Sequence, residues 1–472
     1  MSIGLFRGTL TGLTWATAFA AQAVAADPLA LRAYNAAIDE SSISGISSGG
    51  FMAVQFGTAW SSVIKGVGAI AGGPYWCAKA DANDFITWYW GPIFRATGSC
   101  MKGPPANLKL NDFTAKANAK AASGDIDPIQ NLSRQKIYVF HGYNDKLVAR
   151  AATDATAEFY RHFLGAPNRG NLYYQTTVGA GHSLVVLPKP GSNGLNGCNE
   201  NDPPYIDQCA YDQAGILLQH IYGALKPPNR GQLTGTIRQF DQSVYAKPDA
   251  PSSLSLADAG HVFVPKDCDD GAACRVHIAL HGCKQNAAEV GRRFIEDTGY
   301  NAWADTNRLI VLYPQARSGT ANPQACWDWW SYVNHADTYV TKSGPQIRTI
   351  KAMLNALTAG TGQGAATPPA SGAPTALAVI DASDTAAALA WAAVAGVTTY
   401  RVWRADDANP FKAVGDVVGP SFGDSGLAAK SRYRWRVAAI VNGVEGPPCD
   451  EVAATTRATP APCNNPGACP IQ

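Results

Sequence analysis

Gly45-Ile46-Ser47-Ser48-Gly49 has the G-x-S-x-G spacing of a nucleophile elbow, in which small residues let a strand turn sharply into a helix and present the central serine. The flanking sequence suits that turn: Ser42-Ile43-Ser44 is β-prone, and residues 51–61 can continue as a helix whose N-terminus faces a reacting oxygen. A plain glycine-rich turn could carry the same five letters, so the motif needs partners. A serine hydroxyl at its ordinary pKa is a weak nucleophile. A histidine must take its proton, and a carboxylate must orient that histidine.

Asp145 and His182 fit those roles. Asp145 closes His141-Gly142-Tyr143-Asn144-Asp145, directly after the apolar run 137–140, and His182 lies in Gly179-Ala180-Gly181-His182-Ser183, beyond the next strand-like run. Loops at the C-terminal ends of strands are where open α/β sheets place functional groups, and Ser, Asp, His is the chain order of α/β-hydrolases. The plainer alternatives are a solvated turn aspartate and an ordinary loop histidine. His141 reads as a packing or hydrogen-bonding residue, and His162 and His220 fall on helical stretches and read as structural. A developing oxyanion needs two N–H donors. One belongs to the residue after the nucleophile, Ser48; the second calls for an H-G-type loop, and His281-Gly282-Cys283-Lys284-Gln285 follows the apolar Ile278-Ala279-Leu280. This loop lies downstream of Ser47, whereas the usual hydrolase order puts it upstream. A circular permutation resolves the inversion, with a helix at 346–357 leading in space into the nucleophile strand.

These residues need a scaffold, and the 472-residue chain is long enough for two or three domains. Strand-like runs at 136–141, 172–176, 276–280 and 309–313 alternate with helical stretches at 212–225 and 290–307, which predicts an α/β sheet flanked by helices over 26–358. Residues 359–374, AGTGQGAATPPASGAP, hold almost no large apolar side chain and read as a linker. Beyond it, RVWR and YRWRV alternate apolar and charged residues as half-buried strands do, predicting a small β-sandwich over 375–457 before a short tail at 458–472.

Composition narrows the setting. Hydrophobic residues make up 46% and charged residues 16%, enough to bury a large core, and a net charge of +2 gives no basic excess for a nucleic-acid partner. Residues 1–25 hold one basic side chain, Arg7, then an alanine-rich apolar stretch ending Ala23-Val24-Ala25, the pattern of a cleavable export signal. No later run is apolar enough to span a bilayer. The chain has eleven cysteines without a C-x-x-C pair, which favours disulfides over zinc, with Cys198/Cys209, Cys268/Cys274 and Cys463/Cys469 close enough to pair locally and an odd thiol left over. Neither a metal nor any other cofactor is expected: H-E-x-x-H is absent.

Ser47, Asp145 and His182, followed by HIALHGCKQ, YNAWADTNRLIVLYPQA and CWDWW, together resemble the catalytic domain of poly(3-hydroxybutyrate) depolymerases, in the group whose nucleophile box is near the N-terminus. The resemblance covers roughly 30–357. It implies a circularly permuted α/β-hydrolase and a secreted, extracellular or periplasmic, serine esterase acting on an aliphatic polyester or its oligomers. Ser47 would be acylated, His182 the base and Asp145 its orienter; Cys283 would give the second oxyanion N–H and pair with Cys326. Residues 375–457 resemble a fibronectin type III module, with Trp391 in an early strand and Tyr433 in a late one. Family members that degrade polymer outside the cell usually add a substrate-binding domain after the spacer; the short cysteine-containing tail in its place puts efficient attack on crystalline polymer in doubt and leaves amorphous polymer and soluble oligomers as substrates.

A polyester offers no charge to grip, so its binding rests on apolar contact. Tyr75, Trp76, Trp88, Tyr89, Trp90, Trp327, Trp329 and Trp330 cluster in loop-like segments, and each is also an ordinary core residue in type. Trp327, Trp329 and Trp330 are the expected substrate contacts, through the tether of Cys326 beside the oxyanion loop. Two other readings compete: a secreted carbohydrate esterase of the feruloyl or acetylxylan type, with the same serine chemistry, and a non-catalytic surface binder, against which the intact serine, aspartate and histidine argue.

Overall fold

The computed structural model describes residues 30–78, 91–188, 194–360, 373–394, 397, 399–441 and 444–459. The expected leader at 1–25, most of the linker, the tail from residue 460 with Cys463 and Cys469, and Trp88, Tyr89 and Trp90 lie outside the described residues.

The N-terminal part is built on β1 (Ser41–Ile46), β2 (Ile64–Ile70), β3 (Lys136–Phe140), β4 (Leu172–Gln175), β5 (Leu184–Val186), β6 (Asn196–Gly197), β7 (Ile206–Gln208), β8 (Thr236–Asp241), β9 (Ala259–Val264), β10 (Arg275–Leu280) and β11 (Leu309–Tyr313). Eight of them form one sheet in the order β4-β3-β2-β1-β10-β11-β9-β8, and β5, β7 and β6 form a small separate one. In the large sheet β9 runs antiparallel to both neighbours, while the pairings among β4, β3, β2, β1, β10 and β11 are parallel. Numbered from β8 onward, the order becomes 1-2-4-3-5-6-7-8, that of an α/β-hydrolase sheet, with β1 as its fifth strand. The expected permutation is therefore written into the sheet. Its two chain ends also meet: Tyr34 N–H donates to Leu357 O at 2.8 Å.

Period-two alternation fills both faces. Ile137 and Val139 enter one core with Ile43, Ile278, Leu280, Ile310 and Leu312, while Tyr138 and Phe140 enter the other with Ala279, Val311 and Tyr313. The first core is covered by α1 (Ser48–Ala59), α2 (Leu110–Ala122), α3 (Arg150–Leu164) and α6 (Pro345–Leu357), the second by α4 (Gln213–Tyr222) and α5 (Tyr300–Thr306). A buried strand is usually apolar, yet β1 reads SSISGI. Its hydroxyls are satisfied inside the sheet: Ser42 and Ser44 bond the two ring nitrogens of His277 at 2.6 and 2.8 Å, and reach Tyr222 and Tyr300 at 2.6 and 2.7 Å.

The helix expected across 290–307 is not continuous. It is split into Ala287–Val290, Arg293–Glu296 and α5, because Gly291 and Gly299 adopt φ of 63° and 86°, outside helical geometry. Disulfides join Cys77–Cys100, Cys198–Cys209, Cys268–Cys274 and Cys283–Cys326, and Cys449 is a buried free thiol. The first of these was not anticipated. Among the described residues, no helix is long and apolar enough to cross a membrane.

The C-terminal part is all β. Strands β12 (Thr375–Ala382), β13 (Ala386–Ala392) and β16 (Ser421–Ser425) form one sheet, and β15 (Lys412–Val418), β14 (Thr399–Asp406), β17 (Arg432–Val441) and β18 (Val444–Pro448) a second, with β19 (Val452–Thr455) also on β17. Trp391, Tyr400, Val402 and Trp435 pack between them.

Candidate active site

Ser47 occupies φ 56°, ψ −123°, between the end of β1 and the first residue of α1. Two glycines make that turn possible. A Cβ on Gly45 would fall 2.3 Å from Gly49 O, and one on Gly49 would fall 2.5 Å from the carbonyl oxygens of Leu280 and His281. Only hydrogen fits at either position. The turn is held by Ser47 N–H donating to Ile70 O at 2.9 Å and Phe51 N–H donating to Ser47 O at 3.0 Å.

The same stepping continues across the sheet, with Ala71 N–H on Phe140 O at 2.9 Å and His141 N–H on Gln175 O at 3.0 Å. The loops carrying Ser47, Asp145 and His182 therefore open from one edge, where a parallel sheet collects its functional groups. His182 Nδ1 lies 2.8 Å from Asp145 Oδ2, and the Asp145 side chain is fully enclosed. Asp145 Oδ1 accepts from the N–H groups of Leu147 and Val148 at 2.8 and 2.9 Å. Burial raises the pKa of this carboxyl, but the charge and hydrogen bond of His182 and the two backbone donors outweigh it, leaving the group below its ordinary value and ionised. His141 is buried, with Nε2 at 3.0 Å from Val148 O, so it supports the loop that holds the acid.

Gly282 faces the serine: a Cβ added there would lie 3.3 Å from Ser47 Cβ. His281 sets the next peptide. Its Nε2 accepts the Ala316 N–H at 3.0 Å, so the proton is on Nδ1, which donates to Gly282 O at 2.7 Å. Burial pushes His281 down to about 4, which keeps it in this neutral tautomer. In a trans peptide N–H and C=O point in opposite directions, so fixing the Gly282 carbonyl also aims the Cys283 N–H. Among the described residues, nothing accepts that N–H. Ser48, first in α1, likewise has no acceptor within its own helix, as all first-turn N–H groups lack one.

The Cys283–Cys326 bridge places the CWDWW segment beside this loop. Its tryptophans are not arranged as expected. Trp327 is fully buried and donates Nε1–H to His281 O at 2.9 Å, and Trp329, 4% exposed, stacks on Phe51 with ring centroids 3.9 Å apart. An enclosed indole cannot lie against a polymer, so Trp327 buttresses the 281–285 loop from behind and Trp329 packs against α1. Trp330 alone of the three is partly exposed, edge-on to Trp329 at 5.5 Å. Tyr75 and Trp76 are likewise core residues, the latter bonded through Nε1–H to Asp337 at 2.8 Å.

Known proteins share both sequence and fold with this chain. It is 40% identical over 415 residues, 86% of its own length and 77% of the relative's, to a poly(3-hydroxybutyrate) depolymerase of Delftia acidovorans. A polyhydroxybutyrate depolymerase of Talaromyces funiculosus is 36% identical over 364 residues, 74% of this chain and 97% of that protein. The chain belongs to the poly(3-hydroxybutyrate) depolymerase family. Among solved structures, a PHB depolymerase from Penicillium funiculosum superimposes with a TM-score of 0.60 at 35% identity, covering 70% of this chain and 99% of that one. A PHB depolymerase with one serine changed to alanine, complexed with an R3HB trimer, gives 0.61 at 34% identity over the same shares. No family model matches the chain.

The two solved depolymerases are thus similar in fold to this chain, and the residues near Ser47 and His182 include two, Gln285 and Tyr205, that the sequence did not point to. Gln285 closes the 281–285 loop on itself, accepting the Gly282 N–H at 2.7 Å and donating to the carbonyls of Pro204 and Tyr205 at 2.9 and 3.0 Å. Tyr205 stands edge-on to His182 with ring centroids 6.0 Å apart. The only sequence signal for Gln285 was its place at the end of the HGCKQ run. Tyr205 carried none, because it reaches the site through a loop rather than a motif.

Proposed function

We propose that this protein is a secreted serine esterase that hydrolyses the ester bonds of poly(3-hydroxybutyrate) or its oligomers. Ser47 Oγ attacks the ester carbonyl as His182 removes its proton, and Asp145 holds the imidazole and stabilises its cation. The N–H groups of Ser48 and Cys283 receive the oxyanion. His182 then protonates the departing hydroxyl, and water, activated by the same imidazole, releases the acid and restores Ser47. Neither a metal nor another cofactor enters this scheme. The observation that carries it is the 2.8 Å His182–Asp145 contact on the sheet edge from which the constrained Ser47 turn also opens. Export is supported by the leader-like residues 1–25 and by four disulfides, which persist in oxidising compartments.

Residues 26–358 form the proposed catalytic domain, joined by the 359–374 linker to a fibronectin type III-like spacer at 375–457. That assignment is supported by a tyrosine corner: Tyr433, near the start of β17, accepts the Ala428 N–H at 2.9 Å. Trp330, partly exposed beside the oxyanion loop, is the remaining proposed contact for substrate among the three tryptophans.

The reading is tested by incubating the protein with amorphous and crystalline poly(3-hydroxybutyrate), and separately with feruloylated and acetylated xylan. Soluble 3-hydroxybutyrate products, from the amorphous form first, are expected. Hydrolysis of the xylan esters with neither polymer attacked would move the substrate to the carbohydrate class.

A further inference from the structure

The segment spanned by the Cys198–Cys209 disulfide supplies none of the reacting groups, yet it touches the two loops that carry Asp145 and His182. Asn201 is the point of contact. Its Oδ1 accepts the His182 N–H at 3.0 Å and the Lys146 N–H at 2.9 Å, while its Nδ2 donates to Asn144 O at 3.2 Å and Asn199 O at 3.1 Å. All four bonds use the amide in one orientation; exchanging oxygen and nitrogen would set donors against donors and acceptors against acceptors. Asn144 and Lys146 flank Asp145 in sequence. One side chain therefore ties the backbone on both sides of the acid to the backbone of the base.

The segment holding Asn201 is itself anchored. The buried Asp207 accepts through Oδ2 from Gly181 N–H at 3.1 Å and Asn199 N–H at 3.2 Å, the residues one before His182 and two before Asn201. Strand β7 pairs with β5, which starts two residues after His182. At the crossing the chains touch so closely that a Cβ on Gly181 would lie 1.7 Å from Glu200 O.

We propose that Asn201 is a positioning residue for the Asp145–His182 pair, acting through the backbone of the two loops rather than on substrate. The inference rests on the triad reading above. Its logic is geometric: a displacement of about 1 Å between catalytic groups can cost about 100-fold in rate, while substrate affinity set elsewhere is untouched.

The test compares Asn201→Ala and Asn201→Asp in the full chain, hydrolysing a soluble 3-hydroxybutyrate oligomer, with competent sites counted by a serine-reactive phosphonate. Asn201→Ala is expected to lower kcat per titrated site about 10- to 100-fold with KM within about threefold of the parent. Asn201→Asp keeps both accepted N–H bonds but sets a carboxylate oxygen against the carbonyls of Asn144 and Asn199, so it should recover only part of that loss. A kcat per site within about threefold of the parent in Asn201→Ala, or equal losses in both variants, would overturn the proposal. If Asn201→Ala does not fold, Asn201→Ser decides: a kcat per titrated site lowered about 10-fold or more with KM within about threefold of the parent upholds the proposal, and a parental kcat refutes it. Ser47→Ala run alongside separates the two levels, since turnover surviving in that variant sinks the triad reading whatever Asn201 does.

Discussion

At Ser47 the backbone is held at φ 56°, ψ −123°, a conformation that costs a non-glycine residue on the order of 1–3 kcal/mol and persists only where its surroundings over-determine it. Here they are the hydrogen bond to Ile70 O, the first bond of α1 and the close approach of Gly45, Gly49 and Leu280. A methyl group at Gly49 would strike two backbone oxygens at 2.5 Å, neither of which can move without shifting β10. We therefore expect Gly49→Ala to lose activity by more than 100-fold and to lower the melting temperature, measured by turnover and calorimetry on the same preparation. Normal turnover in that variant would show the elbow to be looser than described. Ser47, Asp145 and His182, the proposed serine, acid and base, stood out in the sequence because each has a local signature of glycines and a preceding strand. Asn201 and Gln285 were not, since an amide that bonds backbone groups across 19 or 80 residues leaves no local pattern.

Between the residues and the whole molecule stand the loops that strands hold in register. The proposed oxyanion loop is fixed from three sides: by the neutral His281, by Gln285 and by the disulfide to Cys326 with Trp327 behind it. Opening the 43-residue loop closed by that disulfide should destabilise the fold by about 4 kcal/mol on chain entropy alone. A Cys283→Ser, Cys326→Ser double variant is predicted to retain substrate binding but lose about 10- to 100-fold in kcat, because one oxyanion donor is less well aimed. Unchanged kcat in the double variant would assign the bridge to stability alone. The strands flanking these loops could be read from apolar runs such as 137–140 and 309–313. The broken helix over 287–306 could not, because Gly291 and Gly299 interrupt a pattern whose apolar spacing still suits a helix. The tryptophans misled for a related reason: side-chain type fits core and substrate surface equally, and only packing decides between them.

Across the whole molecule, permutation is what brings the proposed nucleophile at position 47 to the proposed oxyanion loop at 281–285, since β1 and β10 are parallel neighbours whose paired residues lie 235 apart in sequence. The same burial that builds the sheet makes it acid-sensitive. Desolvation drives His277 down to about 3 and His281 to about 4, and desolvation with the nearby Arg292 charge drives His261 to about 4, from 6.5. Their folded forms are neutral, so below pH 6.5 the unfolded chain binds more protons and stability falls until the folded values are reached. Each fully buried histidine contributes a slope of up to about 1.4 kcal/mol per pH unit. Chemical denaturation between pH 7 and pH 4 should show this decline, and His277→Gln should flatten it; equal stability at both pH values would contradict the burial of neutral histidines. The central claim, that Ser47 is the acylated nucleophile, meets its most direct test in the release of 3-hydroxybutyrate products from amorphous polymer by the parent and by Ser47→Ala at matched folded concentration. The account predicts a loss of about 10⁴- to 10⁶-fold with the melting temperature preserved. Residual turnover within 100-fold of the parent would contradict it.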